Sequence, residues 1–406
     1  MTTAILITDA FPLGAITEGA FVVPEIEALS EAFGRVIVMP TTSISPADAV
    51  VLPANVEICY DWVVSPMWRH KWRRLAYLFT PGMWRFCGSP RSYTNLTFTA
   101  ASMAFERFFS RWIEKRGIDL QQTVIETFWL DFPAAALGRL RNRLPHLRYV
   151  NRAHGHDVYT RRAMKPRSIA IGESAGVYCA SDDAADYLRE IFPEHSGKIS
   201  TAPLGCVKLY PDEMATGHSS ADRALTFLSV ARVYPGKGVA RNLEMLRKLA
   251  VARPSTQIRW IHIGDGPLMS DLRAKVAEVA EPNLSVELRG AMPNPAVQRV
   301  LFSEPIDWIM LLSDSEGGRP ISICEAMAYG IPAIATEVGG VPEIVDDDCG
   351  LLLAPDSTTE EFVRGLLPYL DSNQRTARLR EGAYTRWHEH YNAPALRQQF
   401  VSEHLQ

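Results

Sequence analysis

The chain has 406 residues, 47% of them hydrophobic and 22% charged, which is too long for one ordinary core and suits two domains. Its formal net charge of −4 hides one basic stretch, since residues 61–116 hold ten Lys or Arg against three acids, with five of the nine tryptophans; the acidic remainder argues against general nucleic-acid affinity. No stretch approaches the ~20 apolar residues of a bilayer span, and Cys59, Cys87, Cys179, Cys206, Cys324 and Cys349 show no Cys-x-x-Cys pairing, which excludes a disulfide framework and a structural zinc site and fits a reducing cytoplasm.

The opening run Ala4-Ile5-Leu6-Ile7 ends at Thr8-Asp9 and has the size of a buried strand rather than an export signal. A helical pattern follows at Val22, Ile26, Leu29 and Phe33, then a second strand at Val36-Ile37-Val38-Met39, making a β-α-β unit. Within the basic insertion, Trp68, Trp72, Leu75 and Phe79 fall at helical spacing with Arg69, Lys71, Arg73 and Arg74 between them. Strand-like runs return at 124–125, 147–150, 176–180 and 198–202, separated by helical patterns near 132–143 and 182–191. Residues 209–223 read as a linker. A second series then has strands at 225–230, 258–263, 284–288, 308–311 and 333–335. Alternation of this kind predicts two doubly wound, Rossmann-like parallel sheets whose strand ends face each other across a cleft.

The segment Ser313-Asp314-Ser315-Glu316-Gly317-Gly318-Arg319-Pro320-Ile321-Ser322-Ile323-Cys324-Glu325 follows a strand and enters a helix. Pro320 suits the first turn, and Gly318 with the free amides of Ile321 and Ser322 forms a candidate phosphate site. Glu325 lies one turn beyond Ile321, where its carboxylate accepts from ribose hydroxyls or is simply a solvated helix residue beside the buried stripe of Ile323, Ala326 and Met327. Arg232 and Lys237 sit in the loop after strand 225–230, either as a diphosphate clamp or as two exposed charges on a turn. His154 and the neighbouring His156 follow a buried strand, where a core histidine is also common. Asp157 reads as a helix cap, and Asp346-Asp347-Asp348 as a solvated turn with no metal.

Together these segments resemble family 4 of the glycosyltransferases. The resemblance is specific in the second half, where Ala231-Arg232-x4-Lys237-Gly238, Ile263-Gly264-Asp265-Gly266-Pro267, the Glu316 to Glu325 segment and Ala335-Thr336-Glu337-Val338-Gly339-Gly340-Val341-Pro342-Glu343 stand in family order. In the first half, Phe11-Pro12 through Glu25-Ile26 is similar to the family's donor-side loop, which contains Gly14, and Arg152-Ala153-His154-Gly155-His156-Asp157 to its catalytic histidine motif. The resemblance implies the GT-B fold: an acceptor-side domain over 1–210, a nucleotide-sugar-binding domain over 211–375, and helices over 376–406 that return to the first domain. It implies that Arg232 and Lys237 hold the donor diphosphate, Glu325 the ribose and Glu316 the donor sugar, with His154 at the reaction centre. The family has seven residues between its paired glutamates. Glu316 and Glu325 have eight, an extra residue that the Gly317-Gly318 pair can absorb.

The activity so implied is retaining, metal-independent transfer from a nucleotide-diphosphate sugar, with no other cofactor, to a glycan, lipid-linked glycan or other hydroxyl acceptor. A nucleotide-sugar-binding protein with decayed catalysis and a sugar-nucleotide epimerase are the competing readings. The expected location is the cytoplasm, with peripheral contact to an anionic membrane through residues 66–116.

Overall fold

The computed structural model describes residues 2–11, 19–42, 51–66, 76–80, 93–160, 164–210 and 224–406. These divide into two compact units, one formed by residues 1–204 with 394–406 and the other by 205–393.

Among the described residues, the first unit has a parallel sheet of β1 (Thr3–Thr8), β2 (Arg35–Pro40), β3 (Val56–Ile58), β4 (Thr123–Thr127), β5 (Arg148–Ala153), β6 (Val177–Cys179) and β7 (Ile199–Thr201), ordered β3-β2-β1-β4-β5-β6-β7. The two-residue side-chain period sorts each strand onto two faces. Ile5, Ile7, Ile37, Met39 and Ile125 pack on helices Tyr93–Arg116 and Phe132–Arg141, while Ala4, Leu6, Val36 and Val38 meet helix Gly19–Ala32 through Val22, Ile26 and Leu29. Strand β3 escapes a hydrophobic-run reading because it has three half-buried residues around the charged Glu57. The expected helix over 68–79 lies mostly outside the described residues, and Ala76–Phe79 is a single 3-10 turn.

A charged cluster is sealed inside this unit. Arg152 donates from Nη2 to both Glu25 oxygens at 3.2 and 3.3 Å and from Nε to Glu126 Oε1 at 3.3 Å, and Arg397 Nη1 lies 3.1 Å from Glu25. All four residues are buried, and the Arg152 guanidinium lies over the Phe400 ring, 3.5 Å from its centroid. Buried charges are tolerated only when paired, and here burial, with the charge of Glu25, pushes the Glu126 carboxyl up to about 8. Arg397 and Phe400 thereby carry the C-terminal segment into the first unit.

The second unit's parallel sheet holds β8 (Leu225–Val230), β9 (Ile258–Ile263), β10 (Leu284–Leu288), β11 (Trp308–Leu311), β12 (Ala333–Thr336) and β13 (Gly350–Leu353), ordered β10-β9-β8-β11-β12-β13. Five of these match the expected strands closely. β13 was not expected because it opens on a glycine directly after an acidic turn. One face packs on helices Val239–Ala252, Met269–Ala277 and Thr359–Leu370, the other on Asn294–Ser303, Ile321–Ala328 and Asn373–His390.

Helix Asn373–His390 differs from the expected third segment over 376–406. Its Leu379, Ala383 and Trp387 are buried in the second unit, where Trp387 Nε1 donates to Cys206 O at 3.3 Å and Cys206 bridges Asn392 in parallel. The boundaries at 210 and 376 therefore move to 204 and 393, with only 394–406 returning to the first unit.

Candidate active site

In both sheets the strand order reverses beside the first strand, between β1 and β4 and between β8 and β11. Loops leaving the carboxyl ends of strands at such a point diverge and leave a crevice suited to ligands. In the second unit the two diverging loops are the ones that carry Lys237 and Glu316.

Backbone contact between these loops depends on glycine. Gly238, at φ +62°, caps helix Val239–Ala252, and a Cβ there would stand 1.8 Å from Leu312 O. Gly339, at φ +51°, lies under Glu316, whose carbonyl oxygen would be 1.9 Å from an added Cβ. A side chain at Gly238 would push the Lys237 loop from the Glu316 loop, and one at Gly339 would push the loop after β12 from Glu316. Asp314 N also donates to Gly236 O at 2.8 Å, and Thr336 Oγ1 to Ser313 O.

The result is a close polar group. Lys237 Nζ donates to Glu316 Oε1 and Oε2 at 2.7 and 2.8 Å, and buried Ser313 donates from Oγ to Oε1 at 2.6 Å. Ser313 had no role in the sequence reading, since a serine at a strand end is unremarkable there. Arg232 is exposed, with its guanidinium 5.5 Å from the Tyr234 ring centroid. Pro320 stands just before helix Ile321–Ala328, whose first ladder bond runs from Cys324 N to Pro320 O at 3.2 Å, so the amides of Ile321 and Ser322 precede the ladder and are available to an anion. Between the two glutamates, Arg319 pairs with Glu343 at 2.5 Å.

Glu325 is neither clearly exposed nor solvated: it is 4% exposed and accepts on Oε1 from Asn294 Nδ2. Burial pushes its carboxyl up to about 7, against the hydrogen bonds of Asn294 and Gln298. Asn294 and Gln298 lie on one helix, and Gln298 Nε2 donates onward to Val207 O at 2.9 Å. The Asp346 expectation needs correction. It is half-buried, paired with Arg386 and bonded by the Cys349 thiol, because helix Asn373–His390 packs over that turn; Asp347 and Asp348 are exposed. Among the described residues no three His, Cys, Asp or Glu side chains converge as a metal site requires.

In the first unit His154 stands at the end of β5, 8% exposed, with its ring 4.9 Å from Phe128 and 4.7 Å from Trp129. Its Nε2 is 2.9 Å from Phe128 O. A carbonyl only accepts, so Nε2 carries the proton and Nδ1 the lone pair. Burial, with the charges of Arg152 and Arg397, lowers the imidazole to about 3 and keeps it neutral. Asp157 accepts from the amides of His154 and Leu130, both at 2.6 Å, so it caps the short helix Gly155–Val158 and ties the β4 and β5 loops together. Gly14 and the side chain of His156 lie outside the described residues.

Two parallel, doubly wound sheets with this site on the second define a protein of the GT-B class. Across 99% of the chain the fold is similar to sucrose-phosphate synthase from Thermosynechococcus elongatus, with a TM-score of 0.70 at 18% identity over 98% of that chain. It is likewise similar to Anabaena HepE, solved in complex with UDP, with a TM-score of 0.62 at 14% identity over 99% of each chain. Residues 224–372 match the family Glycosyl transferases group 1. The amylovoran biosynthesis glycosyltransferase AmsK of Erwinia amylovora is 30% identical over 146 residues, 35% of either chain, so the match spans about a third of that relative's length.

Proposed function

We propose that this protein is a retaining glycosyltransferase that moves a sugar from a nucleotide-diphosphate sugar to a hydroxyl of a glycan or lipid-linked glycan, without a metal or other cofactor. The observation that carries the reading is the meeting of Lys237, Glu316 and Ser313 at the switch point of the second sheet, beside the open amides of Ile321 and Ser322. Likeness to HepE, solved in complex with UDP, supports a nucleotide at such a crevice.

The chemistry follows from charge. As the bond between the anomeric carbon and the phosphate oxygen breaks, positive charge grows on the sugar and negative charge on the diphosphate. Arg232, Lys237, Gly318 and the helix-start amides stabilise the leaving group; Glu316 orients the sugar and Glu325 the ribose. The acceptor oxygen bonds to the anomeric carbon on the face the diphosphate leaves, and the acceptor proton passes to the departing phosphate oxygen. His154, neutral with Nδ1 as acceptor, bonds a hydroxyl of the reacting sugar.

The test is a thermal-shift screen against UDP-, GDP- and ADP-sugars, followed by mass spectrometry of products with candidate acceptors. Acceptor-dependent release of nucleoside diphosphate with a glycosylated product supports the reading. Protection from unfolding without release would leave a nucleotide-sugar binder, and conversion of the donor sugar to its epimer would make the protein an epimerase.

Peripheral attachment to an anionic membrane on the cytoplasmic side belongs to the same proposal. Its support is the exposure of Arg107, Arg111 and Lys115 at four-residue spacing along helix Tyr93–Arg116, whose Phe105, Phe109 and Trp112 are buried in the core. Among the described residues no helix is long and apolar enough to cross a membrane.

A further inference from the structure

The residue assigned to the diphosphate and the residue assigned to the sugar hold each other. Both Glu316 oxygens accept from Lys237 Nζ, at 2.7 and 2.8 Å, and the Glu316 side chain is only 9% exposed against 35% for Lys237. Among the described residues Ser313 adds the one further donor on that carboxylate, at 2.6 Å. A carboxylate this enclosed depends on its cation, and removing the partner exposes it to a desolvation penalty.

Resting on the reading of Lys237 as the diphosphate ligand, we propose that the Lys237–Glu316 pair exchanges partners with the donor and so makes the site prefer an intact nucleotide sugar to the nucleoside diphosphate left after transfer. A diphosphate that draws Lys237 away leaves Glu316 with Ser313 alone. The sugar of an intact donor brings hydroxyls that donate to Glu316 and replace what the ammonium withdrew. The free diphosphate brings none, so it must compete with Glu316 for Lys237. Once the sugar has left for the acceptor, the pair re-forms and displaces the product. Ser313 is a positioning residue in this exchange, because its bond holds the Glu316 carboxylate in place while the lysine moves to the diphosphate.

Isothermal titration calorimetry on the full chain tests this, using whichever of UDP, GDP or ADP stabilises the wild type and its matching nucleotide sugar. Glu316→Gln keeps the shape and removes the charge that competes for Lys237. It is expected to bind the nucleoside diphosphate about two- to fivefold more tightly than wild type, a factor of the size that a partly exposed ion pair supplies. The same variant should bind the nucleotide sugar no more tightly than wild type, so the affinity ratio collapses. Ser313→Ala should move the ratio the other way, weakening nucleoside diphosphate binding more than nucleotide-sugar binding, because only the donor sugar then offers Glu316 replacement hydroxyls; a merely structural role would not split the two ligands. Unchanged or weaker diphosphate binding by Glu316→Gln, with its fold intact by thermal melt, would overturn the exchange. Lys237→Met separates the two readings: tenfold weaker diphosphate binding retains Lys237 as the ligand whatever Glu316→Gln shows, and unchanged binding removes that assignment and the exchange with it.

Discussion

Asn294 donates from Nδ2 to Oε1 of Glu325, so the glutamate assigned to the ribose is already held inside the second unit by a neighbouring helix. The sign of its pH effect is fixed by burial, which raises the folded carboxyl to about 7 from an ordinary 4.5. The folded state then binds more protons than the unfolded chain between these values, and stability falls as pH rises through the window. Glu325→Gln keeps an acceptor for Asn294 and removes the titration. Its stability should gain on wild type between pH 5 and pH 8, by about 3 kcal/mol at most for a shift of this size. Nucleotide-sugar affinity should fall at every pH. A parallel decline of both proteins with pH in thermal melts would show that Glu325 does not titrate in this way.

His154 yields a second expectation, because its proton is fixed on Nε2 by the Phe128 carbonyl and burial lowers its pKa to about 3. Folded His154 binds fewer protons than its unfolded counterpart between pH 3 and 6.5, so it opposes folding on acidification and leaves turnover above pH 5 free of its ionisation. His154→Ala should depress transfer about a hundredfold or more, the scale of a lost transition-state hydrogen bond, with nucleoside diphosphate affinity little changed. The check is a kcat profile from pH 5 to 8. A limb near pH 6.5 that vanishes in the variant would mean the imidazole titrates during turnover.

The strands and the site loops were legible to different depths. Alternating apolar runs revealed five strands of the second sheet; Lys237 is a candidate from its place after one of them, and Glu316 is named through the resemblance to family 4 of the glycosyltransferases. Their direct pairing was not legible, since it depends on Gly238 and Gly339 letting separate loops touch. Nor was the burial of Glu325, whose partner lies 31 residues away on another helix. The charged cluster around Arg152 escaped for the same reason: Glu25 is 127 residues distant, and nothing local marks an arginine on β5 as interior. Local periodicity reports which face a residue occupies, and long-range partners decide what a buried charge does there.

That cluster leads to a third expectation. Arg397 reaches Glu25 from the C-terminal segment, and Glu25 is otherwise paired with Arg152 in a site closed to water. Arg397→Met keeps much of the apolar stem but leaves the two glutamates facing one cation. Removing one partner of a buried ion pair costs about 3–5 kcal/mol, and the segment should detach before the rest of the unit unfolds. Limited proteolysis should then cut the variant near residue 394 under conditions that leave wild type whole. Equal resistance and an unchanged melting temperature would show that Phe400, Val401 and Leu405 hold the segment without the charges.

The last expectation concerns the exposed cations of helix Tyr93–Arg116. Its aromatic residues Phe105, Phe109 and Trp112 are committed to the core, so any membrane contact by this helix must come from its outer face. Arg107, Arg111 and Lys115 are exposed there, while Phe79 in the preceding turn is 88% exposed and supplies an apolar anchor. Each cation near an anionic surface contributes about 1 kcal/mol. Three give reversible attachment that fades as salt shortens the Debye length. The protein should co-sediment with vesicles of mixed phosphatidylserine and phosphatidylcholine at low salt, bind far less at high salt, and ignore pure phosphatidylcholine. Replacing all three cations with glutamate should abolish the low-salt binding without lowering the melting temperature. Retained binding in that triple variant would move the attachment to another surface, and no binding to anionic vesicles by the wild type would remove the membrane from the proposal.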